Sequence, residues 1–142
     1  MKRIKSYNTE SILDILKSFV SNVASGLSIE TPVVMMGRLN RAYEKPLFRG
    51  LYHDSKNAII LASDFGFRDD FDLELSARHE VAEWLEYVIT GERVYRISGS
   101  PHSEDMLHKA LMGVIKHSYP NDPQKVVDWV SKRLNNEKNK IF

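Results

Sequence analysis

The run Leu75–Ile89, LSARHEVAEWLEYVI, constrains this chain more than any other stretch. At about 100° per residue, Val81, Leu85, Val88 and Ile89 fall on a side that needs a core. His79 and Glu83 stack one turn apart on a different face, which Glu86 and Tyr87 continue, and Glu80 projects from near its edge. An imidazole and a carboxylate at this spacing can grip one divalent ion. An adjacent glutamate can then take a proton from a water that the ion activates. A histidine and a glutamate four apart also occur on ordinary solvated faces, so the surrounding chain has to weigh between the two readings.

Composition narrows the choice. With no cysteine among 142 residues, disulfides, thiolate zinc sites and a cysteine nucleophile are excluded, and any metal must be held by His, Asp and Glu. Twenty basic and nineteen acidic residues leave a net charge of +1, so nothing draws the chain as a whole to nucleic acid or an anionic membrane. The dispersed charges Lys132, Arg133, Lys138 and Lys140 read as solubility. No apolar run approaches the roughly 18 residues of a membrane span, and MKRIKSYNTE carries no signal-like apolar segment, so the expected location is cytoplasmic. The length suits one domain over 1–142, with a polar tail expected to fray from about 135.

Along the chain, Asn8 and Thr9 offer a cap for an amphipathic helix through Ile12, Leu16, Phe19, Val20 and Val23, with Gly26 placed to end it. Thr31-Pro32 breaks the chain before a strand at Val33–Met36. Segments 47–52 and 58–62 read as an antiparallel hairpin around His53–Asn57. Asp69, Asp70, Asp72 and Glu74 crowd the start of the long helix, where a helix dipole favours acids, and Gly91 ends it. Ser100-Pro101 or Ser103 would open the next helix, which Pro120 stops. Asp122-Pro123 caps a last helix carrying Val126, Val127, Val130 and Leu134. Trp84 and Trp129 read as core. His53 and His117 read as structural, one in a turn and one at a helix end. No phosphate loop, nucleotide fingerprint or Ser/Cys catalytic arrangement is present.

Three stretches carry a family resemblance. LFRGLYHDSKNAIILASD precedes the long helix as a hairpin and edge strand, RHEVAEWLEYVI holds an HExxE core, and SEDMLHKAL begins the next helix. Together, over about residues 9–118, they resemble the minimal zincin-like metallopeptidases, in particular the small phage and archaeal zincin-like proteins that carry HExxE. Glu83 stands where the HExxH helix has its second histidine. The resemblance implies an α+β fold in which a small, mostly antiparallel sheet packs on a backing helix and on the metal-binding helix, with two further helices behind. It further implies a zinc held by His79, Glu83 and His108, with helices over 72–90 and 103–117 bringing these together.

In that reading the fourth zinc position stays open and Glu80 is the general base. The substrate is a protein or peptide lying along the edge strand Ala58–Ala62. His102 competes with His108 for the third ligand position, or would polarise the carbonyl. As a plain surface residue, His108 would pair with Glu104 instead. Glu86 is either an acceptor that fixes a ligand imidazole or a charge at the rim. The alternative function is a non-catalytic zincin-like binding or scaffold protein, with or without a structural metal.

Overall fold

Helix α1 (Thr9–Leu27) forms where the apolar spacing requires it and buries Ile12, Leu16, Phe19, Val20 and Val23. The computed structural model, which describes residues 9–92 and 106–140, continues with strands β1 (Val33–Gly37), β2 (Gly50–His53) and β3 (Ala58–Ala62). Helices α2 (Asp70–Thr90), α3 (Met106–Ser118) and α4 (Pro123–Lys140) follow. The architecture is α+β. Among the described residues, no helix is long and apolar enough to cross a membrane.

Gly26 does not end α1. It lies inside the last turn, where an added Cβ would come within 2.6 Å of Val127 Cγ2 on α4. The missing side chain lets the two helices approach. The terminator is Ser28, at φ 57°, with the Ile29 N–H reaching back to the Ala24 carbonyl at 3.0 Å. Gly91 does end α2, at φ 71° and with its N–H on the Tyr87 carbonyl. Asp69 and Asp122 cap α2 and α4 by accepting from the backbone of Asp72 and Lys125. Helix α4 extends to Lys140, and no Gly or Pro interrupts it.

The three strands pair in the order β1-β3-β2. β2 runs antiparallel to β3, with Leu51 opposite Ile60, so the expected hairpin is present. β1 runs parallel to β3, with Val34 opposite Ile59. The sheet is therefore mixed rather than mostly antiparallel, because residues 38–57 are long enough to carry a crossover. One consequence corrects the substrate reading. Ala58–Ala62 is the central strand, paired on both sides, and has no edge to offer a peptide.

The connection before β2 is organised by one buried residue, Asn40. Its Oδ1 accepts from the N–H groups of Leu47 and Phe48 at 2.8 and 2.7 Å, and its Nδ2 donates to the Phe48 carbonyl and to Asp64. These bonds hold residues 47 and 48 out of the ladder, so β2 starts at Gly50 rather than 47. The core lies between α1, the sheet and α2, with Leu16, Phe19, Ile59, Leu61, Val81, Trp84 and Leu85 all fully buried; α3 and α4 close it with Leu111, Ile115 and Val130. Trp129 packs against its margin, with the Arg133 guanidinium 4.7 Å over the ring.

Candidate metal centre

Helix α2 sits against β2 and β3 on one side and α3 on another, so even its polar residues leave water. Its buried side chains include Asp72, Ser76, His79, Glu80, Glu83 and Glu86. Burying a carboxylate is costly unless opposite charge, hydrogen bonds or a metal compensates.

At the N-terminal end of the helix the protein supplies that compensation. The Arg49 guanidinium meets Asp72 Oδ1 at 2.6 Å, and the Arg68 N–H donates to Oδ2 at 3.0 Å. Burial pushes the Asp72 carboxyl up, but these bonds and the two arginine charges outweigh it and hold the group below its ordinary value of 3.8. Asp64 resolves in the same way. Burial raises it, and the Asn40 and Leu39 N–H groups pull it lower.

In the middle of the helix the described neighbours include imidazoles and further carboxylates. His79 Nε2 lies 3.5 Å from Glu83 Oε1, one turn on. From α3, His108 brings its Nδ1 to 3.7 Å from Glu83 Oε2 and 3.1 Å from Glu86 Oε2. The two imidazole rings meet edge to face, with centroids 4.8 Å apart. One donor atom each from Glu83, Glu86 and His108 falls within 4.8 Å of the others, and all three residues are buried. His79, Glu83 and His108, named from the sequence, thus come together. His108 lies inside the α2–α3 contact, not on a surface. His102, Glu104 and the candidate caps Ser100, Pro101 and Ser103 lie outside the described residues.

This donor set suits a divalent ion. Donors about 2.0–2.2 Å from a tetrahedral ion are about 3.3–3.6 Å from one another, and the His79–Glu83 separation of 3.5 Å is of that size. Imidazole and carboxylate without thiolate fit zinc, and they do not select it over other first-row metals. Glu86 is closer to the site than an acid at the rim would be. Its Oε2 lies 3.1 Å from His108 Nδ1, so it is placed either to accept the proton of that nitrogen and orient the ring or to share a metal with it, depending on the tautomer.

Glu80 points to the sheet side. Its carboxyl lies over Gly50, where an added Cβ would come within 2.7 Å of Cγ and 2.9 Å of Oε2, so any larger residue there would push the Glu80 side chain aside. The Tyr52 backbone N–H donates to the same carboxyl. Burial first, and the Glu83 charge second, push Glu80 well above the usual carboxylate value of 4.5, and the Tyr52 bond opposes them. A cleft of about 380 Å³ opens beside the cluster, with His79 in its lining, between the start of α2, Arg49 and Met112 of α3. His53 makes a turn contact with Ser55 at 3.1 Å, and His117 is exposed on α3, both away from the cluster.

Compared with models of protein families, with curated proteins and with solved structures, the chain matches none.

Proposed function

We propose that this chain is a zinc-dependent peptidase of the zincin-like kind, with His79, Glu83 and His108 as ligands and Glu80 as general base. The observation that carries the reading is the convergence of an i, i+4 His/Glu pair on α2 with a buried histidine from α3, beside a cleft that reaches His79. Zinc bound there would supply Lewis acidity toward a peptide carbonyl and make an attacking water more acidic at neutral pH. The chain's own part is to hold and to aim. Glu86 keeps His108 in one tautomer and orientation. Gly50 and the Tyr52 N–H fix the Glu80 carboxyl on the sheet side of the site. To accept a proton Glu80 has to be ionised, which the Tyr52 bond favours and which a cation neutralising Glu83 would favour further. Substrate enters by the cleft over His79, since β3 offers no edge.

The test is zinc content in protein purified without chelator, followed by peptide hydrolysis in Glu80→Gln. We expect one zinc per chain in both proteins and hydrolysis only in the parent. Loss of zinc in Glu80→Gln, or hydrolysis that survives it, contradicts the assigned role.

A second reading, a closed structural metal in a non-catalytic binding protein, draws support from Glu86. If Glu86 and His108 Nδ1 both ligate, His79 and Glu83 complete four protein donors and no position is left for substrate. Glu86→Ala separates the two. As an orienting residue it costs about 10–100-fold in zinc affinity with the stoichiometry kept; as a ligand its loss removes zinc binding.

A further inference from the structure

We infer that the cleft over His79 selects substrates that carry a carboxylate close to the scissile bond, with Arg49 and Arg68 as the recognising groups. The inference rests on the peptidase reading and names the substrate class of that site.

Arg49 immediately precedes β2, and its carbonyl accepts the Ala62 N–H at 2.8 Å, so its backbone is part of the sheet. Its guanidinium is held in place twice. Nη1 meets Asp72 at 2.6 Å, and the group lies 4.6 Å over the Phe65 ring. A guanidinium has five N–H donors in a planar fork, and the contacts to Asp72 and Ser76 both use Nη1. The other edge of the fork remains for a ligand, and the side chain is 28% exposed where it lines the cleft. Arg68 stands 80% exposed on the same cleft, with its Nε 3.7 Å from Asp72.

Two guanidinium charges against one carboxylate leave one net positive charge among these three groups. Guanidinium forks match carboxylates in a two-point geometry, and a fork already immobilised loses little freedom on binding. Leu75 and Met112 supply an apolar wall for the methylene groups of the ligand. The cleft's size is within the roughly 300–1,000 Å³ of small-ligand sites. The carboxylate can belong to an acidic side chain or to the chain terminus of a peptide, and the probes below distinguish these.

The experiment is calorimetric titration of the zinc-loaded protein with three malonic hydroxamates, whose hydroxamate end holds zinc. One is coupled to Ala-Ala amide, one to Ala-Ala with a free terminal carboxylate, and one to Ala-Glu amide. We expect a carboxylate probe to bind about tenfold more tightly than the neutral one, with a preference that shrinks as salt is raised. The tighter of the two acidic probes identifies the source of the carboxylate. Arg49→Gln should abolish the preference, and because it also takes the guanidinium from buried Asp72, its probe affinities are compared on the folded, zinc-loaded protein. Arg68→Gln, a change at an exposed side chain that folding tolerates, should reduce it by about threefold. Equal affinity for all three probes on zinc-loaded protein overturns the inference and leaves the peptidase reading intact. A preference that survives in Arg68→Gln and in Arg49→Gln also overturns it. Absence of stoichiometric zinc overturns the metal reading, and this inference with it.

Discussion

Asp72 and Glu80 are carboxylates on one helix, about two turns apart and almost equally buried, yet their surroundings push them in opposite directions. Asp72 receives Arg49 and the Arg68 N–H, and its charge is favoured. Glu80 receives one backbone N–H and faces the charge of Glu83, and its charge is disfavoured. The contrast separates two uses of a buried acid. Asp72 ties β2 to the start of α2 and keeps Arg49 aimed. Glu80 lies against Gly50 and the Tyr52 N–H, where burial and the Glu83 charge favour its neutral form. Burial alone therefore says little about the role of an acid; the identity of its partners decides.

The sharpest way to test this contrast is at the cluster itself. Zinc at about 1,000 times its Kd should stabilise the protein by about 4 kcal/mol, because only the folded state assembles the donors. Glu83→Ala should lose all of that gain, and Asp72→Asn should keep it; thermal melts with and without zinc read both. A gain that survives in Glu83→Ala would break the assignment of the two regions.

Next in size is the structural acid. Asp72→Asn weakens a charged pair and a charge-assisted bond to Arg68 N–H, and should cost about 2–3 kcal/mol in denaturant unfolding. Its pH dependence has a definite sign. With the folded-state pKa below the ordinary 3.8, the Asp72 contribution is present above that value and is lost as pH falls through the folded pKa. Stability measured from pH 5 down to 2 should thus fall less steeply in Asp72→Asn than in the parent.

A smaller effect is expected where the backbone supports Glu80. Gly50→Ala places a methyl group against Glu80 Cγ and Oε2 and should cost about 1–3 kcal/mol by overpacking. The smallest is Glu80→Gln, which keeps the Tyr52 bond and removes a like charge beside Glu83. Its stability without metal should stay within about 1 kcal/mol of the parent, in contrast to Asp72→Asn. A loss as large as that of Asp72→Asn would show that Glu80 is a structural acid too.

Much of the fold was legible because local rules dictate it. The apolar periods set α1, α2 and α4, the cap Asp122 and the terminator Gly91 follow from side-chain and backbone chemistry, and the hairpin follows from its turn residues. The HExxE spacing placed His79 and Glu83 on one face. The polar stripe of α2 was also readable in part, since Asp72, Ser76, His79, Glu83 and Glu86 recur at steps of four and three. Helical period states that these residues share a face. It does not state whether water or another helix covers that face.

That second fact came only from the tertiary structure. α3 lies across the stripe, so its acids are buried and Glu86 reaches His108 rather than standing at a rim. The Arg49–Asp72 pair joins residues 23 apart, and no local pattern announces it. Gly26 reads locally as a helix end, yet Gly26 and Gly50 are both close-approach sites whose reasons, Val127 and Glu80, are distant in sequence. β3 became the central strand because β1 pairs along its other edge, a choice among strand orders that hydrophobic pattern leaves equal. Short-range chemistry determines which residues share a face and where each element starts and stops. Which faces meet is decided by packing between segments far apart in the chain, and in this protein those meetings create both the buried His/Glu cluster and the arginine-lined cleft beside it.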